Sequence, residues 1–226
     1  MSNEVAENDM TNSTINEGKP PLRFPEFSET NEWKYERLGI LAERVTLRNK
    51  NRNITRVLTN SAEHGVVDQR DFFDREIVTS ENLDTYYVVE AGDYVYNPRV
   101  SKTAPVGPIS KNHIGIGVMS PLYTVFRFHE TDNDFYEYYF QSPHWHRFLR
   151  DASNSGARHD RMNISTDDFM SMLVPVPPCR NEMAKVARFL RTLDELIDAE
   201  ARKLEKLRAQ REGLLQQLFP SSEGKR

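Results

Sequence analysis

Cysteine is almost absent from this sequence. A single residue, Cys179, among 226 excludes an internal disulfide framework and a cysteine-only zinc cage. Long apolar runs are missing as well, so no membrane-spanning helix is expected. There is no glycine-rich phosphate loop, since Gly115-Ile116-Gly117 stands alone. The nearest approach to the Asn/Asp-Pro-Pro-aromatic tetrapeptide of adenine methyltransferases is Tyr96-Asn97-Pro98-Arg99, which lacks the second proline and the ring. The acids between 63 and 93 have no lysine near them, which removes the carboxylate–lysine cluster a Mg²⁺-dependent nuclease needs. His144-Trp145-His146 has no third close ligand and reads as a surface or aromatic-cluster pair rather than a metal site. Cys179, between Pro178 and Arg180 at a helix start, reads as a turn residue rather than a nucleophile. No catalytic or metal-ligating residue is nominated, and no directly bound cofactor is expected. Met1–Pro20 is polar and acidic, unlike a signal peptide, and a cytoplasmic location is expected.

What the chain does have is a normal apolar content, 38 %, enough for a core. Its net charge of −4 is unevenly spread. Residues 34–56 carry Lys34, Arg37, Arg44, Arg48, Lys50, Arg52 and Arg56 against only Glu36 and Glu43. Residues 63–93 reverse the sign, and basic character returns at Arg99, Lys102 and Lys111 and again at Arg147, Arg150, Arg158 and Arg161. Gathered on one side by folding, these stretches would form a phosphate-binding face on an acidic protein; left apart, they are ordinary solvated charges.

The order of patterns predicts an α+β protein: a mixed α/β globular domain followed by a long C-terminal coiled-coil helix. Residues 1–20, rich in Asn, Thr, Ser and Glu, read as a disordered tail. The globular domain spans 21–180. Thr55–Leu58, Tyr86–Val89, Tyr94–Tyr96, Leu122–Phe128 and Leu173–Val176 read as strands, with Ile40–Val45 a short helix or strand. Asp132–Phe140 continuing to Arg150 reads as helix, 153–157 as a loop, and Asp167–Met170 as a turn or short helix.

Residues 181–219 differ in kind, and 220–226 read as a flexible tail. Met183, Val186, Leu190, Leu193, Ile197, Glu200, Leu204, Leu207, Arg211, Leu214 and Leu218 recur at alternating spacings of three and four, a heptad seam with charged or Gln residues between. Thr192-Leu193-Asp194-Glu195 matches a capping box, so the segment reads either as one rod or as a short helix followed by a long one. The nine apolar seam side chains represent more than ~13 kcal/mol of burial. They require the chain's own domain, a second copy or a partner. In a parallel in-register pair Glu200 and Arg211 would each meet its twin; in an antiparallel pair they face each other. The expected dimerisation residues are therefore Leu190, Leu193, Ile197, Glu200, Leu204, Leu207, Arg211, Leu214 and Leu218.

An ordered series of motifs resembles a known family. Pro21-Leu22-Arg23-Phe24-Pro25-Glu26-Phe27 with Trp33 and Lys34-Tyr35-Glu36-Arg37-Leu38 is similar to the opening of a target recognition domain in the specificity (S) subunit of type I restriction-modification systems. Gly92-Asp93-Tyr94-Val95-Tyr96-Asn97-Pro98-Arg99 resembles the central motif. Gly115–Pro121, Ser155–Arg158 and Arg161–Ser165 resemble later ones. Val174–Pro178, Val186–Leu190, Leu193–Ile197 and Leu214–Pro220 are similar to the run into the terminal helix. The resemblance covers about residues 21–220, and it lies in the series rather than in any single motif. The family's usual chain has two recognition domains, each followed by a long helix; this one has a single domain and a single helix, like a half-length S subunit.

The resemblance implies sequence recognition of double-stranded DNA without catalysis, one half-site per domain, with a homodimer restoring the twofold layout through antiparallel helices. S-adenosylmethionine would belong to a modification subunit, and ATP and Mg²⁺ to partner subunits that include the restriction subunit. Candidate DNA contacts are Arg48, Lys50, Arg52, Asn97, Arg99, Lys102, Arg158 and Arg161, chosen because the Arg fork and the Asn amide suit phosphate, guanine or adenine edges. Asn53 is a further candidate for adenine. The competing readings are a non-DNA coiled-coil interaction or scaffold protein, and an inactive S-subunit fragment.

Overall fold

A computed structural model describes residues 18–72, 80–153 and 160–219. The elements are β1 (Lys34–Arg37), α1 (Leu38–Leu41), β2 (Ala42–Arg44), β3 (Leu58–Ser61), β4 (Gly65–Asp68), α2 (Gln69–Phe72), β5 (Tyr87–Val89), β6 (Tyr94–Tyr96), β7 (Ile109–Lys111), β8 (Gly117–Met119), β9 (Thr124–Phe128), α3 (Asp134–Gln141), α4 (His146–Ala152), α5 (Thr166–Met170), β10 (Leu173–Val176) and α6 (Arg180–Leu218). This is the expected α+β architecture with a long C-terminal helix.

The central sheet runs β2-β9-β6-β7, every pairing antiparallel. Period-two alternation divides its side chains between two cores. Tyr94, Tyr96, Phe126 and Phe128 point to a layer built by α3–α5, where they meet Phe135, Tyr136, Phe140, Trp145, Leu149 and Phe169. Val95 and Val125 point the other way, onto Leu58, Val66, Tyr87, Val89 and Met119 of the β3–β4 and β5–β8 pairs. Aromatic rings dominate the first face: Tyr96 stacks on Phe169 with centroids 4.8 Å apart, and Phe128 on Tyr136 at 4.4 Å. β1 closes the globule by pairing with β10, Lys34 opposite Val176.

Several boundaries depart from the sequence reading. Residues 55–57 precede the strand, which occupies Leu58–Ser61. Arg56 there bonds Asp68 and the Ile114 carbonyl, while Val57 makes one parallel bridge to Val118. The aromatic helix is two helices, divided where Ser142-Pro143 removes a backbone donor and the Ser142 amide bonds the Tyr139 carbonyl. Trp145 is buried, its indole N–H donating to the Phe140 carbonyl at 3.0 Å, and His146 lies edge-on to it. Burial pushes the His146 pKa below its ordinary value, with Arg150 adding to the effect. Of the expected N-terminal tail, residues 1–17 lie outside the described residues; Gly18 exchanges two backbone bonds with Trp33. The flexible tail at 220–226 also lies outside them.

The terminal helix is a single rod of 39 residues. Thr192 starts no second helix: its hydroxyl donates to the Arg188 carbonyl at 2.9 Å, the i−4 bond of a helix interior. Among the described residues, the rod touches the globule at its base. Glu182 and Ala187 are buried, and Met183 and Val186 pack on the aromatic core beside α3. From Arg191 to Glu212 every residue is exposed, including Leu193, Ile197, Leu204 and Leu207.

Candidate nucleic-acid interface

Sheet topology gives the globule two unlike ends. β2 and β6 both run antiparallel to β9, staggered so that Arg44 and Tyr94 both face Phe126 while Tyr96 faces Thr124, so the last residue of β6 and the first of β9 meet at one end, with β2 pointing toward it. The opposite end holds the first residues of β2 and β6 and the last of β7 and β9, and α3 follows β9 there.

At the helix-bearing end the charges are paired. The Lys111 ammonium donates to Asn133 Oδ1 at 2.8 Å and to Asp134 at 2.5 Å. Arg191 of α6 also pairs with Asp134, Arg180 with Glu130 and Lys185 with Glu26. Arg23 grips the buried Glu182 carboxylate through two bonds of 2.6 and 2.7 Å, and the Trp33 indole donates a third. The hydrogen bond to Glu182 raises the Arg23 pKa. At Asp134, burial pushes the carboxyl pKa up, but the bonds from Lys111 and Arg191 outweigh it and hold the group below its ordinary value.

The other end is a cleft of ≈ 360 Å³. Its walls come from β3 (Thr59, Asn60, Ser61), the turn after β6 (Asn97, Pro98, Arg99), the β8–β9 connection (Ser120, Leu122, Tyr123), Gln69 and Arg161. Two crossings hold the rim together. Arg99 and Arg161 form an antiparallel bridge, flanked by Met162 N–H to the Pro98 carbonyl at 2.8 Å and Val100 N–H to the Asp160 carbonyl at 3.0 Å. The Asn97 amide donates to the Asn60 carbonyl at 2.9 Å, and its Oδ1 accepts from Arg99 N–H at 3.0 Å. Thr59 and Tyr123 share a hydroxyl bond of 3.0 Å across the floor. Asn60 is 2 % exposed. Its amide donates to the Val95 and Pro108 carbonyls, and its Oδ1 is a buried acceptor with no partner among the described residues.

Gly107 controls this rim from the β6–β7 turn. Its φ is +83°, and a Cβ there would lie 2.0 Å from the Asn97 carbonyl oxygen, so the Asn97 turn sits where it does because position 107 has no side chain.

A second basic group stands around Tyr87 of β5. Asn49 N–H bonds the Tyr86 carbonyl, which brings the loop after β2 beside β5. The guanidinium carbons of Arg44 and Arg48 lie 5.7 and 5.8 Å from the Tyr87 ring centroid, and Arg44 also donates to the Tyr87 hydroxyl at 3.3 Å. Both arginines are exposed. The Asn49 side chain pins the loop, bonding both the amide and the carbonyl of Ile54.

The expected contact residues therefore fall into groups. Asn97, Arg99 and Arg161 come together on one rim. Lys102 is exposed just beyond it. Arg48 and Lys50 lie on the neighbouring loop. Arg52, in that loop with φ +54°, is 3.5 Å from Asp84. Asn53 is exposed beside it. Arg158 lies outside the described residues. The acidic stretch is not an unopposed surface: Asp68 pairs with Arg56, and the fully buried Asp93 takes two bonds from Arg127, at 2.6 and 3.0 Å. Sequence reading missed Asn60, Tyr123, Arg44 and Tyr87. Asn60 had a signal, since Asn is poorly suited to a strand and a buried one implies a polar task. Among the described residues no group of three or more His, Cys, Asp or Glu side chains gathers as metal ligands, and no helix is long and apolar enough to cross a membrane.

Fold and site together define a mixed α+β domain with a basic-rimmed cleft at one end and a projecting helix at the other. No family model matches the chain, and no curated protein matches it. Two solved structures are similar in fold. One comes from work on complex assembly and conformational transition of the type I R-M system, at 16 % identity and TM-score 0.49, over 86 % of this chain and 51 % of that one. The other is the HsdS subunit from Thermoanaerobacter tengcongensis, at 15 % identity and TM-score 0.48, over 91 % of this chain and 53 % of that one. This chain spans about half the length of each.

Proposed function

We propose that this chain is the DNA-recognition subunit of a type I restriction-modification complex, without catalytic residues of its own. The cleft end reads one half-site of a split target. The terminal helix sets the spacing to a second reader in an antiparallel homodimer and helps dock the modification and restriction subunits. S-adenosylmethionine, ATP and Mg²⁺ belong to those partners. The observation that carries the reading is the concentration of Asn97, Arg99 and Arg161 on one cleft rim, at the end of the sheet away from α6. The order of the motifs along residues 21–220 supports it.

The division of labour follows from the chemistry. Exposed Arg48, Lys50 and Lys102 suit phosphates, which supply affinity and its salt dependence. Arg99 and Arg161, held by backbone crossings on a rim that the Asn97–Asn60 bond fixes, suit base edges, where two hydrogen bonds to one base give discrimination. The exposed part of the rod, from Arg191 to Leu218, rises ~42 Å, somewhat more than one turn of duplex at ~34 Å, so two readers joined by such helices fit one face of DNA.

Co-expression with a type I modification subunit, followed by methylation mapping, tests this. A near-palindromic split target is expected, and four residues inserted after Leu207 should lengthen its spacer by about one or two base pairs. Absence of both methylation and salt-sensitive DNA binding would favour the scaffold reading, in which the exposed helix alone recruits partners.

A further inference from the structure

The heptad seam of α6 divides at Leu190. Before it, Met183 and Val186 pack on the domain core. Leu190 is half-buried, and every seam position from Leu193 to Leu218 is exposed. This open part has the same form read from either end. Its spacings alternate between four and three residues and begin and end with four. Its residue types run two apolar positions, an acid, two leucines, a base and two apolar positions. Toward the tip it forms a shallow groove of ≈ 360 Å³ lined by Leu207, Gln210, Arg211, Leu214, Leu215 and Leu218. Those six make two overlapping four-residue holes of the kind that take a knob from a facing helix. The first runs from Leu207 to Leu214 and the second from Arg211 to Leu218. Neither charge of the row is committed to the domain. Glu200 has an exposed partner on its own helix, Lys203 at 3.4 Å, which contributes little, and Arg211 has no ion pair to a described residue.

We propose that this row is self-complementary and accepts a second copy of the chain in one antiparallel register, with Glu200 against the second copy's Arg211. The proposal rests on the homodimer reading above and adds its register. Leu204 then meets Leu207, Ile197 meets Leu214, and Leu193 meets Leu218, so each layer sets an a position against a d position. The second copy's Glu200 enters the first hole beside Arg211, and its Ile197 enters the second. Both neighbouring registers fail. Sliding one heptad toward the domain sets Leu218 on Val186, which already packs on the core. It also puts Glu200 on Leu204 and Arg211 on Leu193. Sliding one heptad outward leaves Leu193 and Ile197 facing positions past the end of α6 at Leu218. It also puts Glu200 on Leu218 and Arg211 on Leu207. Either shift buries charges against leucine without a partner. Charge and burial thus select the same register independently. The one that pairs Glu200 with Arg211 also begins where the domain lets go of the helix and finishes where the helix ends.

The test is a pair of cysteines in the full chain with Cys179→Ser as background. I197C/L214C together should give a covalent dimer on a non-reducing gel, while I197C alone and L214C alone should give almost none. Within one chain the two positions are ~26 Å apart along the rod, beyond the ~7 Å a disulfide can span, so the bond must join two copies. Efficient crosslinking of either single variant would mean a parallel pair and would overturn the proposal. So would an I197C/L214C chain that is dimeric by light scattering yet stays unlinked. Charge reversal tests the register with the apolar seam intact. Glu200→Arg and Arg211→Glu should each weaken the dimer about tenfold or more, because each sets like charges together at both symmetric positions. E200R/R211E together should return to within about threefold of wild type. In a parallel in-register pair each charge already meets its twin, so unchanged dissociation constants in both single variants would discard the register. A wild-type chain that stays monomeric at all concentrations would remove the register and the homodimer together. Salt-sensitive DNA binding by that monomer would leave the recognition reading standing.

Discussion

The two ends of the globule spend their charges differently. Where α6 is anchored, cations pair within the fold: Arg23 with Glu182, Lys111 and Arg191 with Asp134, Arg180 with Glu130, Lys185 with Glu26. At the cleft end Arg99 and Lys102 stand exposed with no ion pair to a described residue, Arg161 has only the neighbouring Asp160 at 3.7 Å, and Arg44 and Arg48 rest on a tyrosine ring. Paired cations hold an element in place; unpaired ones at a rigid rim keep their binding capacity for something outside the chain. Substitutions at the first end should therefore read out as stability, and at the second as binding.

The largest effect on stability is expected at Glu182, whose carboxylate takes three hydrogen bonds and whose side chain is 1 % exposed. Glu182→Ala strands Arg23 and the Trp33 indole donor together, and a buried pair broken on one side is costly. A fall in melting temperature of roughly 10 °C is expected, with the exposed outer rod still helical by circular dichroism. A melting temperature within a degree or two of wild type would mean that the helix end is not held by its charges.

Gly107→Ala is the counterpart at the cleft end and the exception that sharpens the contrast. A methyl 2.0 Å from the Asn97 carbonyl must displace the turn, and φ +83° adds left-handed strain of ~1–2 kcal/mol. Both stability and DNA binding should fall, since the turn that moves carries Asn97 and Arg99. Retained binding in this variant would place the interface elsewhere than the cleft rim.

Arg99→Ala, Arg161→Ala and Lys102→Ala should leave the melting temperature unchanged. The two arginines should each cost about 1–3 kcal/mol of binding if they read bases, and Lys102 should lower the salt slope by about one if it holds a phosphate. Titrations at several salt concentrations separate these cases, and an unchanged affinity and slope removes the residue from the interface.

How much of this was visible beforehand depends on the range of the interactions. Tyr94–Tyr96 and Leu173–Val176 were placed to the residue, because alternation and flanking turns are local signals. The Thr55–Leu58 strand was set too early, because β3 is fixed by pairing with β4 and by Asn60 reaching Val95 and Pro108, contacts far away in sequence. The capping box at Thr192 left one rod and two helices both open, because the same hydroxyl satisfies an i−4 carbonyl equally well. At the cleft, residue type alone pointed to Asn97, Arg99 and Arg161, which share a rim. It also pointed to Arg52, whose partner Asp84 lies across a connection that no local pattern reveals. The docked base of α6 was legible as apolar periodicity, but which copy or domain covered each turn was not.

The smallest expected effect is a pH dependence confined to the helix end. His113 Nε2 lies 2.7 Å from Glu137 of α3. The bond to that carboxylate raises the histidine pKa above its ordinary 6.5, against a smaller opposing effect of burial. The folded state therefore binds the proton more tightly than the unfolded chain. The stabilisation is complete below pH 6.5 and fades as pH rises from there through the raised folded value. Because the imidazole is 60 % exposed, solvent screening keeps the effect small. Thermal melts across pH 6–9 should show a shallow decline that His113→Asn and Glu137→Gln each remove. Binding by the cleft, which has no histidine among its lining residues, should not follow that decline. A matching loss of DNA affinity over the same range would mean that the two ends are coupled through β6 and β7 rather than separate in function.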